Sequence, residues 1–339
     1  MKLDFDPRKN ITKLDYFLMQ LNRVNNRVNN KIKDLLVVKS IVKNWYDVLL
    51  FRVGLKRPEF IMQLRNGKKI EINKPEDYFS FWESDESQKA LLKQWGFDSI
   101  IKLDKNRKIV RFKFKNKIVG LYYDSQKQWA NTIGMITDQF IKNEYGWLNV
   151  KGKTVIDIGA NIGDTAIYFA LNGAKHVYAF EPYPYSYRIA TQNVRLNELE
   201  DRITLLNEGC GKEKRKIKID VSYKNFAGAD LKNFKKGTNI NITTLSELIK
   251  RFRIMDNEVL KIDCEGCEYG VLLDAQDSDL RRFKQIQIEY HYGYLNLKRK
   301  LEEAGFRVSK TLPKSILNLK AENREMLIGL LYAERAKHV

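Results

Sequence analysis

The spacing of apolar positions changes along the chain, and each change predicts a different kind of element. Leu35, Val38, Val42, Trp45 and Leu49 recur at intervals of three and four, with Lys39, Lys43 and Asp47 between them. That period predicts helix, and residues 10–55 read as helical throughout. Such a face normally packs against its own protein, but a basic amphipathic helix also suits a lipid surface. Peripheral membrane contact through the 34–53 helix therefore stays open. From residue 57 the period falls to two. Phe60–Leu64 and Lys69–Ile72 flank Asn66-Gly67, a pair suited to the positive φ angles of a tight hairpin turn. Ile109–Phe114 and Ile118–Tyr123 predict a second hairpin, with Val110, Phe112 and Phe114 on one face and Arg111, Lys113 and Lys115 on the other.

Beyond residue 128 short apolar runs alternate with helical ones. Strands are expected at Thr154–Gly159, His176–Glu181, Ile203–Asn207, Val259–Asp263 and Gln285–Tyr290. Helices are expected at Asp164–Leu171, Ser186–Leu196, Leu245–Arg253, Glu268–Asp274 and Leu297–Ala304. Alternation of this kind predicts an α/β fold, a mostly parallel sheet with helices on both faces. Lys212–Asn241 interrupts it as a polar, basic stretch with one hairpin. Glu302–Val308 reads as a helix and turn, and Met326–Glu334 as an antiparallel last strand. The pattern divides the chain into a helical region (1–56), a small α+β lead-in domain (57–128) and a larger α/β domain (129–339).

Charge adds one question. Lys and Arg number 61 against 42 Asp and Glu, a net +19. The excess is concentrated in front: residues 1–128 hold 28 basic and 15 acidic side chains, the remainder 33 and 27. A basic surface favours anionic partners, so a nucleic-acid substrate is an alternative to a small molecule. The start of the sequence lacks the charged and apolar regions of a signal peptide, and no run of some 18 apolar residues occurs, so a cytoplasmic protein is expected. Cys264 and Cys267 form a C-x-x-C. With only Cys210 and three histidines as further soft ligands, they read as buried small side chains rather than as a zinc or redox site.

The strongest chemical signal is Thr154-Val-Ile-Asp-Ile-Gly-Ala-Asn-Ile-Gly-Asp-Thr165. A buried strand runs into a glycine loop that opens a helix. Gly159 and Gly163 permit a sharp turn and a close ligand, so that a side chain at Gly159 would fall where a ribose lies. Asn161 tolerates a left-handed backbone. Glu181, ending the next strand, is placed to accept both hydroxyls of that ribose. Asp157 and Asp164 would repel a pyrophosphate, which disfavours a nicotinamide cofactor, but both suit the cationic amino-acid end of S-adenosylmethionine (SAM). Glu208, just past the third strand, is either an adenine-side contact or an ordinary loop acid.

Val155–Thr165, Phe180-Glu181-Pro182, Asn193-Val-Arg-Leu-Asn197 and Leu260-Lys-Ile-Asp-Cys-Glu-Gly-Cys-Glu268 occur in an order that resembles the FkbM-type methyltransferases. The resemblance covers about residues 130–335. It implies a Rossmann-like class I SAM-dependent methyltransferase sheet, mostly parallel with an antiparallel last strand. Its strand order should reverse between the first strand and Val259–Asp263, with the cofactor held at Gly159, Asn161, Gly163 and Glu181; Asp157, Asp164 and Glu208 join them as cofactor candidates by their positions alone. It also implies transfer to a hydroxyl of a saccharide or other small hydroxylated acceptor. The chain departs from the family at Cys267, where a small residue such as Ala is commoner.

Asp263 and Glu265 end the fourth strand, while Glu289 and His291 end the fifth. Charged groups there need partners or a ligand. Asp263 or His291 is positioned to take a hydroxyl proton, with Glu265 and Glu289 beside them as further catalytic candidates. A divalent cation on the same four hard ligands is a secondary alternative to a metal-free site. Oligomeric state is not encoded in any of these patterns.

Overall fold

The computed structural model describes residues 6–19, 38–82, 92–93, 96–104, 106–123, 126–220, 234–318 and 324–335. The chain divides into two compact units: Met1–Leu21 with Gly134–Val339, and Asn22–Ile133.

In the Asn22–Ile133 unit, β1 (Phe60–Gln63) and β2 (Lys69–Ile72) form the antiparallel hairpin expected around Asn66-Gly67. β3 (Ile101–Asp104), β4 (Ile109–Phe114) and β5 (Lys117–Tyr122) form a separate antiparallel sheet. Val110 and Phe112 are buried and Lys113 is exposed, as the alternation requires. β3 was not anticipated. The expected continuous helix over 10–55 is broken among its described residues: only α1 (Trp45–Arg52) and shorter pieces remain. Val42 bridges Leu64, and the Lys43 N–H donates to Gln63 O at 2.7 Å, so the chain follows the hairpin edge instead of coiling. Leu35 lies outside the described residues. Val38, Val42 and Val48 are buried against Met62, Leu64 and Ile72, so this part of the apolar face serves the unit's own core. A helix α2 (Pro75–Trp82) follows β2, and a helix α3 covers Gln126–Ile136.

The other unit is built on an eight-stranded sheet. Its strands are β6 (Thr154–Ile158), β7 (His176–Phe180), β8 (Ile203–Leu206), β12 (Glu258–Ile262), β13 (Phe283–Tyr290), β14 (Phe306–Lys310), β15 (Lys314–Asn318) and β16 (Arg324–Arg335). The order is β14-β16-β13-β12-β6-β7-β8, with β15 also on β16. β6, β7, β8, β12 and β13 run parallel; β16 is antiparallel to β13. The order reverses between β6 and β12, as the Rossmann-like class implies, and opens a crevice over the strand C-termini there. A side sheet of β9 (Glu208–Cys210), β10 (Arg215–Ile219) and β11 (Thr238–Thr243) fills the polar interruption.

The helices α4 (Asp164–Leu171), α5 (Pro184–Leu196), α6 (Leu245–Phe252), α7 (Cys267–Leu272), α8 (Asp277–Leu280) and α9 (Leu295–Glu303) alternate with the strands. Thr244 caps α6 through its hydroxyl, which accepts from the Glu247 N–H at 3.3 Å. Residues 306–310 are strand and not the expected helix and turn, because they pair along β16 from Phe306↔Arg335 to Lys310↔Leu331. Pairing partners of this kind are invisible to local periodicity. Residues 6–19 pack on this unit: the Asn10 amide donates to Tyr292 O at 3.1 Å, and Asp15 pairs with Lys310 at 2.8 Å. Among the described residues no helix is long and apolar enough to cross a membrane.

Candidate active site

The glycine loop is clamped from three sides. The N–H groups of Gly159 and Ala160 both donate to Phe180 O at 3.0 Å. The fully buried Asn193 of α5 donates its amide to Ile162 O at 2.8 Å. The Glu181 carboxylate accepts from Asn161 N at 2.9 Å and from Tyr183 N at 2.8 Å, one bond to each oxygen. Gly159, Asn161 and Gly163 have φ of 86°, 48° and 83°, the left-handed turn expected of them. Burial pushes Glu181 up to about 8, against the pull of those two N–H groups. Asp164, the first residue of α4, is likewise pushed up to about 7 by burial.

Gly159 serves a different purpose from the one expected. A Cβ there would lie 1.7 Å from Asp263 O, so the missing side chain already serves to admit the neighbouring chain. The Asp263 N–H also donates to Ile158 O at 3.0 Å. The end of β12 is thereby locked against the start of the loop.

Asp157 is turned inward. It is fully buried, paired with the equally buried Lys261 at 2.9 Å, and accepts from the Thr165 hydroxyl at 2.5 Å. Lys261 also donates to Gly159 O at 2.8 Å. Thus Asp157, expected at the strand end facing the cofactor's cationic group, neutralises an internal lysine instead. A single Lys in the apolar run Val259-Leu-Lys-Ile262 was the available signal for this pair. Glu208 opens β9 and pairs with Arg251 at 2.7 Å.

Asp263, Glu265, Glu289 and His291 do converge. His291 Nε2 lies 3.1 Å from Glu265 Oε2 and 3.9 Å from Asp263 Oδ1; its Nδ1 lies 3.0 Å from Glu268 Oε1. Glu268, fully buried, also accepts from the N–H groups of His291 and Gly266 at 2.9 and 2.8 Å. Glu289 shares a hydrogen bond with Asp263. The Tyr145 hydroxyl donates to Asp263 Oδ2 at 3.5 Å. Lys261, Asn193 and Glu268 stood in the motifs read from the sequence without a role of their own, and Tyr145 was not singled out, since each acts through a contact distant along the chain.

Electrostatics separate the roles. Burial alone would push the His291 imidazole down, but Glu265 and Glu268 outweigh it and hold the ring well above its ordinary value. The protonated ring is thus favoured where it bridges the two carboxylates. Burial, then the Asp263 charge, keep Glu289 well above the usual carboxyl range. Glu289 is therefore the proton donor in its bond to Asp263. Burial also raises Asp263, with Lys261 and His291 opposing. One ligand atom from each of Asp263, Glu265 and His291 lies within 4.8 Å of the others, the set that would suit a cation; Glu289 is not part of it. The His291 proton directed at Glu265 competes with that use.

Cys264 and Cys267 are joined in a disulfide, which corrects their expectation as separate buried thiols. The bond encloses Glu265 and Gly266 in the turn before α7. Cys210 is free and buried.

Residues 157–308 match the methyltransferase FkbM domain. Over 55 residues the chain is 42% identical to a ribosomal protein L11 methyltransferase of Carboxydothermus hydrogenoformans, covering 16% of this chain and 18% of that one. Over 114 residues it is 30% identical to protein arginine N-methyltransferase 6 of Danio rerio, 32% of each chain. The chain thus spans less than a third of the length of these curated relatives. Among solved structures it is similar to an FkbM methyltransferase from Methylobacillus flagellatus, with 16% identity, a TM-score of 0.36, and coverage of 54% of this chain and 43% of that one.

Proposed function

Because the chain belongs, through residues 157–308, to the FkbM methyltransferase family, we propose that it methylates a hydroxyl of a saccharide or other small hydroxylated acceptor, with SAM as donor. One observation carries the assignment: Asp263, with Glu289 and His291 around its carboxylate, is locked directly against Gly159 of the glycine loop. The loop fits the cofactor. Each Glu181 oxygen holds one backbone N–H, which leaves it acceptor capacity for one hydroxyl of a ribose. SAM, when bound, supplies a methyl group already activated as a sulfonium.

The protein's own part is to position the acceptor and take its proton. Of the two candidate bases, Asp263 is the better. Glu265 and Glu268 hold the His291 ring toward its protonated form, which makes it the poorer proton acceptor. Asp263 accepts the Glu289 hydrogen bond, and burial makes it a stronger base than an ordinary aspartate. His291 then acts by holding Glu265 beside Asp263, and Glu268 by holding His291. Asp157 positions Lys261 and the loop rather than touching the cofactor.

The test is transfer of a deuterated methyl group from labelled SAM to a panel of methyl glycosides and, in parallel, to RNA, read by mass spectrometry. Label on the glycosides is expected. Asp263→Asn should lower turnover by about 100-fold or more while S-adenosylhomocysteine (SAH) affinity stays within about threefold. Label on RNA alone, motivated by the basic front of the chain, would replace the saccharide with a nucleic-acid acceptor. Equal loss of SAH binding and turnover would make Asp263 a cofactor-positioning residue.

A further inference from the structure

Residues 142–149 run across the face of the sheet that carries Asp157, Lys261 and Gln287. Three side chains of β13 point at this segment in turn. The Gln285 amide oxygen accepts from the Asn149 N–H at 2.8 Å, and the Gln287 amide donates to Glu144 O at 3.1 Å. Glu289, two residues further along the strand, reaches Asp263. Gln287 is paired across the sheet with Tyr332, and Tyr332 with Ser309, so those three share a row. Successive rows on one face are about 6.6 Å apart. The Tyr332 row is thus one step from the row that ends in the Glu289–Asp263 pair. The same segment spans both: Tyr145 reaches Asp263, and Trp147 meets Tyr332 edge-to-face, with ring centroids 5.4 Å apart.

An open cavity of about 520 Å³ is lined by Lys142, Asn143, Glu144, Trp147, Ser309 and Tyr332. Its size falls in the range of small-molecule sites, about 300–1,000 Å³. Trp147 is 37% exposed, a large apolar ring turned partly to solvent beside an active centre. We infer that this cavity is the acceptor subsite, and that it takes the ring of a neutral, polyhydroxylated sugar stacked on Trp147 and Tyr332. The inference rests on the methyltransferase function proposed above.

The lining chemistry selects that ligand. A pyranose has an apolar face of C–H groups and an edge of hydroxyls. Aromatic walls accept the first, while a carboxylate, an amide and a hydroxyl accept the second. Glu144, Asn143 and Ser309 supply those groups. Glu144 is raised above its ordinary range by burial, then by the charges of Asp138 and Asp263. Lys314 and Lys142 oppose those charges without outweighing them, and Lys142, the only cation in the lining, is already paired with Asp138 at 2.8 Å. A phosphodiester chain would meet a net negative charge here. A nucleobase could stack on the same rings, but its phosphates would not be accommodated. Tyr332 lies one row along and two strands across from Asp263, about 12 Å, and Glu144 of the lining is close enough to Asp263 for their charges to interact, so the methylated hydroxyl belongs to the inward end of the acceptor, beyond the ring seated on Trp147.

The experiment uses the full chain. Saturation-transfer NMR is recorded with methyl β-D-glucopyranoside, methyl α-D-mannopyranoside and methyl α-L-rhamnopyranoside, with and without SAH, on wild type, Trp147→Ala and Glu144→Gln. SAH affinity is measured on the same samples by calorimetry. At least one glycoside should be saturated through its ring C–H protons. In Trp147→Ala its Kd and KM should rise about 10-fold, while kcat and SAH affinity change less than about twofold. Glu144→Gln should lose affinity without losing the ring contact. Wild-type glycoside affinity in Trp147→Ala, or no glycoside saturation in a protein that binds SAH normally, overturns the subsite. Saturation of adenosine monophosphate or uridine monophosphate in place of every sugar also overturns it, in favour of a nucleotide. Absence of SAH heat with glycoside saturation intact would instead refute the methyltransferase proposal and leave the sugar site standing.

Discussion

Lys261→Met isolates the most exposed assumption about what holds this site together. Lys261 and Asp157 are each fully buried, and their charged atoms are 2.9 Å apart. At an effective dielectric of 20 two unit charges at that distance attract by about 6 kcal/mol, which the desolvation of both charges largely offsets. The net worth of the pair is therefore small, but the cost of breaking it is not. Methionine matches the length of the lysine stem and removes only the ammonium. Asp157 is then left in the core without its counter-charge, with the Thr165 hydroxyl as its remaining partner, and Gly159 O loses its donor. Leaving one partner of a buried pair uncompensated costs about 3–5 kcal/mol. The double variant Lys261→Met, Asp157→Asn should regain most of that loss, since the Asn oxygen can still accept from Thr165. Urea unfolding of the four proteins of this cycle, followed by tryptophan fluorescence, measures each value. The pH dependence has a definite sign. Burial pushes the Lys261 ammonium down, but Asp157 and Asp263 carry it above its ordinary value. Its contribution is complete below the unfolded-chain value of about 10.4 and is lost only as pH rises through the raised one. The difference between wild type and Lys261→Met should therefore be flat from about pH 6 to pH 9. A cost under about 1 kcal/mol, or a double variant no better than the single one, would falsify the buried pair.

Other expectations concern the loop and the cofactor. Gly159→Ala should destabilise the fold by about 3 kcal/mol or more, because a left-handed alanine costs about 1–2 kcal/mol before the overlap with Asp263 O is relieved; wild-type stability in urea would refute the close approach. Glu181→Gln should reduce SAH affinity by about 10- to 100-fold with the fold retained, and unfolding would make Glu181 structural. In the wild type burial holds the Glu181 proton up to about 8, so SAH binding near neutral pH should release it as ribose hydroxyls come to favour the carboxylate. Calorimetric heats in phosphate and Tris should differ accordingly, and that difference should vanish in Glu181→Gln. By the same linkage this group makes the free protein less stable as pH rises from about 4.5 to about 8, a slope that Glu181→Gln should remove.

Period and punctuation in the sequence determined the parallel core of the sheet, its helices, and the loop with Gly159, Asn161 and Gly163. These are local matters: a strand's run of apolar residues, a glycine at a turn, a threonine before a helix. The same patterns pointed to Asp263, Glu265, Glu289 and His291, because charged residues at the ends of buried strands are conspicuous wherever those strands come to lie. Only the tertiary structure decided what those groups do to one another. Asp157 and Lys261 are 104 residues apart in the sequence, and nothing in either strand says that the lysine, not a ligand, will neutralise the aspartate. The charge on His291 depends on Glu265 and Glu268 meeting it from a different turn. The position of Trp147 depends on the antiparallel addition of β16, which places Tyr332 beneath it. Pairing energies of this kind come from desolvation and distance, and those exist only once the chain has closed on itself.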